Sequence, residues 1–154
     1  MRKKMMVYGM LISSLYIHAN SVQKVVYSTQ SEPNVLQLGA LELYCLQTVP
    51  FEAMVSGNDT DQKTVALTLP GVVVGQLDCE KINAVKGTGY QVALRNDTQR
   101  NQLIITYDPT RVFVTYAPTL SIDMQHGIVV RFFDQAVLRT MRSQDKPVLC
   151  VACL

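Results

Sequence analysis

Residues 63–69 alternate without a break. Val65, Leu67 and Leu69 fall on one side, Thr64, Ala66 and Thr68 on the other. A period of two is that of a strand with one face on a core. Residues 41–49 repeat it, with Leu41, Leu43, Cys45 and Gln47 aligned, and so do residues 90–95, with Tyr90, Val92 and Leu94 aligned. Shorter β-prone pieces lie at 22–27, 51–55, 72–77, 102–107, 111–116, 120–124 and 128–133. Turn-forming stretches separate them: Ser56-Gly-Asn-Asp-Thr-Asp-Gln62, Pro70-Gly71, Gly87-Thr-Gly89, Asn96-Asp-Thr-Gln-Arg-Asn101, Asp108-Pro-Thr110 and Gln125-His-Gly127. Turns at this spacing predict an antiparallel meander.

Two strands are apolar on both faces: Leu103-Ile-Ile105 in one, Ile128-Val-Val130 and Phe132-Phe133 in the other. Such strands sit centrally, with cover on each side. Residues 134–142 predict a helix, with Asp134 as N-cap, a narrow stripe of Val137, Leu138 and Met141, and late arginines that suit the helix dipole. Residues 78–86 read as a short helix or an irregular link, and the apolar end, 148–154, as a closing strand. The expectation is a mainly β protein. It is an antiparallel β-sandwich or partial barrel with one short helix near the C-terminus, preceded by a signal-peptide helix.

That signal is read from residues 2–19. Arg2-Lys-Lys4 opens the chain, and fifteen residues without Lys, Arg, Asp or Glu follow, from Met5 to Ala19. A basic start, an apolar run and a small residue at its end match a secretory signal cleaved between Ala19 and Asn20. The alternative is an uncleaved anchor, for which the run is short of the roughly 17–25 residues that span a bilayer. The domain reading is therefore a signal at 1–19, an N-terminal extension or edge strand at 20–36, and one β-rich domain at 37–154. Localisation follows: exported, whether periplasmic, held in the cell envelope, or secreted.

Composition supports one folded domain. The chain has 154 residues, 48% of them apolar and 17% charged, too apolar for a disordered tail. Removing Arg2, Lys3 and Lys4 from the 14 basic residues leaves 11 against 12 acidic ones. A near-neutral body argues against nucleic acid as partner. The four cysteines, Cys45, Cys79, Cys150 and Cys153, all follow the signal. In an exported chain they suggest disulfides with three possible complete pairings, and buried thiols are the alternative. Cys150-Val-Ala-Cys153 has redox or zinc spacing, but it ends the sequence without the following helix that would activate a thiolate.

The catalytic inventory is thin. His126 is the one histidine after the signal. Ser121, Asp123 and His126 lie too close in sequence to converge as a triad from different segments, so His126-Gly127 reads as a turn. Asn58-Asp-Thr-Asp61 lacks the glycine and distal glutamate of a calcium loop. Gly87-Thr-Gly89 precedes a strand, the wrong order for a nucleotide-binding loop. Asn58-Asp-Thr60 and Asn96-Asp-Thr98 are glycosylation sequons that matter only in a eukaryotic secretory pathway. No cofactor and no metal are expected.

From Lys63 to Asp134 the rhythm is Thr64-Val-Ala-Leu-Thr68, Tyr90-Gln-Val-Ala-Leu-Arg95, Leu103-Ile-Ile-Thr-Tyr107, Arg111-Val-Phe-Val-Thr-Tyr116 and Gly127-Ile-Val-Val-Arg-Phe-Phe-Asp134. It resembles the AMIN domain, a small β-sandwich of bacterial cell-wall amidases and secretins. The resemblance implies an exported, non-catalytic module that targets its partner by binding peptidoglycan or another envelope component. The expected function is thus a non-enzymatic envelope-binding domain whose partner is a cell-wall polymer or an envelope protein. Membrane contact is expected only through an uncleaved signal, and the oligomeric state is left open. Two alternatives stand beside it: an assembly subunit pairing through β-edges at 22–27 and 148–154, and an enzyme with an unrecognised site. Mass spectrometry of the native protein is expected to find Asn20 at the N-terminus; a native chain that begins at Met1 would refute cleavage.

Overall fold

The structure is a computed structural model that describes residues 20–30, 32–96 and 100–152, with side chains through Gln144. The expected signal, residues 1–19, lies outside the described residues, as does Cys153. The strands are β1 (Asn20–Thr29), β2 (Gln37–Cys45), β3 (Glu52–Gly57), β4 (Lys63–Pro70), β5 (Val72–Val73), β6 (Lys86–Gly87), β7 (Tyr90–Asn96), β8 (Arg100–Tyr107), β9 (Val112–Leu120) and β10 (His126–Asp134). Two helices join them, α1 (Gln76–Asn83) and α2 (Gln135–Ala152). The fold is mainly β, as the alternation requires. Sheet one has the order β5-β1-β2-β10-β9 and sheet two the order β3-β4-β8-β7-β6. Every pairing is antiparallel except the two-residue match of β1 with β5.

Parity within each strand decides what is buried. In sheet one Leu41, Leu43 and Cys45 of β2 lie beside Ile128 and Val130 of β10. In sheet two Val65 and Leu67 of β4 lie beside Leu103 and Ile105 of β8. All of these belong to one buried cluster, which also takes Val22, Leu69, Val92 and Phe132. Connecting segments add Val49, Ile82 and Val85 to it. Phe51, in the link from β2 to β3, meets Tyr116 of β9 edge-on at 6.1 Å and covers one open side of the core.

Tyr90 joins the sheets. Its ring stacks on Phe132 at 3.9 Å between centroids, with the planes 10° apart. Its hydroxyl lies 2.7 Å from that of Tyr27 on β1. A side chain at Gly87 would overlap the Tyr90 ring, and one at Gly39 would sit 2.7 Å from its hydroxyl. Both glycines are thus required by close approach.

Four expectations need correction. Residues 120–124 form no strand: β9 runs unbroken from Val112 through Pro118 to Leu120, and a tight turn follows at 121–125. Pro118 is tolerated because β9 is an edge strand with a partner on one side only. His126 therefore opens β10 instead of lying in a turn, and Met124, at φ +63°, supplies the left-handed residue. The C-terminal helix, α2, is 18 residues long instead of short, and of the two readings of 78–86 the helix is the one formed, as α1. It begins as expected, with Asp134 Oδ1 accepting from the amides of Ala136 and Val137 at 2.9 and 3.1 Å. It continues through Ala152, so 148–152 are helical instead of a closing strand.

Within 22–27, β1 has a strand partner on one side only among the described residues, since β2 runs along it from Val22 to Thr29 while β5 meets just Asn20 and Ser21. Leu67→Ala, emptying a fully buried site, is expected to lower unfolding free energy by about 2–5 kcal/mol. Ala93→Ser, on the exposed face of β7, should stay within about 0.5 kcal/mol. Chemical denaturation measures both, and equal losses would refute the assigned faces.

Candidate functional site

The outward residues of sheet two form ordered rows across the strands. Met54, Ala66, Ile104 and Ala93 are consecutive partners on β3, β4, β8 and β7. They make an apolar stripe at right angles to the chain direction. One flank is the row Glu52, Thr68, Gln102 and Arg95. The other is Ser56, Thr64, Thr106, Gln91 and Lys86. Gln102 donates to the Thr68 hydroxyl at 3.0 Å, which leaves its amide oxygen free to accept. Ile104 is half-buried, Met54 and Ala93 are exposed, and no second layer covers the stripe among the described residues. The cover expected on both faces of β8 is therefore absent on this one.

At the end of this face the sheet dips into an open groove of about 370 Å³. Three turns converge there. Asp61 and Gln62 come from the β3–β4 turn, Gly89 from the β6–β7 turn, and Asp108 from the β8–β9 turn. Tyr107, Tyr90, Gln91, Thr106, Lys86 and Gly87 complete the lining. The turns are held by their own side chains. Asn58 Oδ1 accepts from the amides of Thr60 and Asp61 at 3.3 and 2.8 Å. That oxygen is spent on the turn, which opposes the calcium-loop reading of this segment. Lys63 pairs with Asp59, and that hydrogen bond raises the lysine pKa.

Asp108 Oδ1 accepts from the Thr110 hydroxyl at 2.6 Å and from its amide at 2.9 Å. These bonds, the hydroxyl first, pull the Asp108 carboxyl below its ordinary range. Asp108 thus stays anionic at neutral pH and cannot hold a proton to donate. Burial raises the Tyr107 phenol, which keeps it a neutral donor and acceptor.

The other sequence candidates are dispersed. Cys45 is buried on the inner face of β2, where desolvation raises its thiol pKa to about 11. Cys79 lies on α1, its Sγ 3.8 Å from the carbonyl of Val74, and burial raises its pKa as well. Both are thiols in this structure, so they do not bridge each other. Cys150 falls on α2 beyond the described side chains, and pairings that involve it or Cys153 lie outside the described residues. Asn20 opens β1, exchanging hydrogen bonds with Gln47 and donating to Thr48, while Ala19 lies outside the described residues.

Ser121 is occupied in closing its turn: Gln125 donates its amide to Ser121 Oγ at 2.9 Å. Asp123 and His126 are exposed. No group of three or more His, Cys, Asp or Glu side chains is placed to hold a metal among the described residues. The stripe itself was missed by sequence reading. Ile104, within an apolar triplet that reads as buried, is its one visible sign in the sequence. Comparison with protein-family models, curated proteins and solved structures gives no match.

Thr110→Val removes the hydroxyl donor from Asp108. Carbon NMR of the carboxyl should then show its titration midpoint rising toward the ordinary value of about 3.9. A native carboxyl held low adds stability that is full above its unfolded pKa and lost as pH falls through its folded one. The variant should therefore lose less stability than the parent over that acidic window.

Proposed function

We propose that this chain is an exported, non-enzymatic β-domain that binds a glycan polymer of the cell envelope, peptidoglycan first, through the outer face of sheet two. The observation that carries this reading is the apolar stripe flanked by two polar rows and ending in an open groove. A sugar ring offers weakly polar C–H faces and a rim of hydroxyls. Met54, Ala66, Ile104 and Ala93 provide the flat apolar contact, and Thr64, Thr68, Gln91, Gln102 and Thr106 the hydroxyl and amide partners. Glu52 and Arg95 close opposite ends of one flanking row, and Lys86 ends the other. These charges suit the ammonium and carboxylate groups of peptide stems. The AMIN-like rhythm of residues 63–134 points the same way.

Glycoside hydrolysis needs one carboxyl that holds a proton and one that does not, and Asp108, biased toward the charged form, is not the proton-holding one. The edge reading keeps a specific support: β3 is exposed along its whole length and, among the described residues, pairs only with β4. It then serves as an assembly edge, at a place other than the edges expected from sequence.

Ile104→Glu sets a charge in the middle of the stripe without disturbing the buried face of β8. Co-sedimentation with purified sacculi should be lost in this variant, with an unchanged circular dichroism spectrum. Sacculus binding equal to the parent's would refute the face as a glycan site.

A further inference from the structure

The end of sheet one opposite the β8–β9 turn gathers exposed apolar side chains that serve no core. Cys45 pairs with His126, and His126 with Leu120, so the β2–β3 link and the β9–β10 turn share one end of the sheet. Leu46 there is 63% exposed, Leu120 50%, Met124 70%, and Ile122 fully so. The turn that carries Ile122 and Met124 is closed by hydrogen bonds. Met124 donates its amide to the Ser121 carbonyl at 3.0 Å, Ser121 donates to the Gln125 carbonyl at 2.9 Å, and Gln125 to Ser121 Oγ. Met124 holds φ +63°, a strained choice for an unbranched apolar side chain. The apolar display is thus built into the turn.

The chain reaches the domain at this same end. Val22 of β1 pairs with Cys45, and Asn20 is tied to Gln47 and Thr48. Only His18 and Ala19 separate the last strongly apolar residue of the N-terminal run, Ile17, from Asn20. The three steps from Ile17 to Asn20 span at most about 11 Å. A run seated in a bilayer therefore brings this end of sheet one onto the bilayer surface.

The run is short for a span, and a single marginal anchor holds reversibly unless a second contact joins it. Leu120, Ile122 and Asp123 of this end line a groove with Lys24, Glu42 and Tyr44, which carries one basic and two acidic side chains. That suits zwitterionic headgroups and needs no anionic lipid.

We infer that, in the chain that carries residues 1–19, this end of sheet one rests on a phospholipid bilayer, with Leu120, Ile122 and Met124 entering its interface. The inference rests on reading residues 2–19 as membrane-directed and is independent of the glycan site.

The chain has no tryptophan, so Ile122→Trp creates a single reporter in the loop, and Met54→Trp a control on the far sheet. Each full-length variant is mixed with phosphatidylcholine vesicles, with and without brominated acyl chains, then floated and read by fluorescence. Both variants should float. Only Ile122→Trp should shift its emission to the blue and be quenched by brominated lipid. If both float and the emission of Ile122→Trp stays as in buffer, the loop faces water: the inference fails and the membrane-directed run stands. If neither floats, both fail. A blue shift of Ile122→Trp in buffer that grows with protein concentration assigns the loop to a second copy and also overturns the inference.

Discussion

The contact on which the structure depends is the seat of Tyr90 between the sheets. A two-sheet core is held by non-directional burial, which fixes the amount of apolar surface removed from water but not the alignment of one sheet over the other. Tyr90 adds direction. Its ring lies flat on Phe132 of sheet one, and its hydroxyl meets Tyr27 of a second strand in that sheet. The phenol is buried yet partnered, which avoids the cost of an orphaned polar group. Burial, followed by the Tyr27 hydrogen bond, pushes its ionisation far above the ordinary tyrosine value, so the bond persists across the physiological pH range. Gly39 and Gly87 make room on both sides.

With the sheets aligned in this way, parity assigns everything else. Once Val65, Leu67, Leu103, Ile105 and Val92 turn inward, their neighbours Ala66, Thr64, Ile104, Thr106, Ala93 and Gln91 must turn outward. The outer face of sheet two is thus the obligatory reverse of the core. Its ordering into one apolar and two polar rows is a further property, because alternation alone does not require like residues to meet across four strands. Glu42 and Tyr44 show the same rule on sheet one. Both point outward, the phenol donates to the carboxylate, and that bond raises the Tyr44 pKa to about 12.

Much of the fold could be read from alternation. β4, β7 and the inward face of β2 were all legible, because each strand pattern is a local quantity. So was the Asp134 cap, which needs only three neighbouring residues. The failures have two causes. The apolar stretches at 120–124 and 148–154 satisfy strand propensity, yet the first is displayed on a turn and the backbone of 148–152 is helical. Apolar character by itself does not distinguish core, turn and helix. The stripe was illegible for a different reason. Met54, Ala66, Ile104 and Ala93 are scattered over some fifty positions of sequence and adjoin only through register, and register is a property of pairs of strands.

The two proposed surfaces stand at opposite ends of the β-strands. β8 ends at Tyr107 and passes through Asp108 to Val112, the start of β9, whereas the apolar turn follows Leu120, at the end of β9. The groove and the turn therefore stand at opposite ends of a nine-residue strand. At about 3.3 Å per residue they are roughly 30 Å apart. In a chain that keeps residues 1–19, a bilayer under the turn leaves the groove and the adjoining row of Gln91, Thr106 and Thr64 turned away from lipid, on the side where a polymer outside the membrane is met. The row of Glu52, Thr68, Gln102 and Arg95 lies nearer the bilayer, since Glu52 follows the link that leaves β2 at the membrane-facing end. A glycan strand lying along the stripe, at right angles to the β-strands, then runs parallel to the membrane plane. One rigid domain suffices for this arrangement, because the stacked Tyr90 fixes the sheet that bears the polymer site to the sheet that bears the turn.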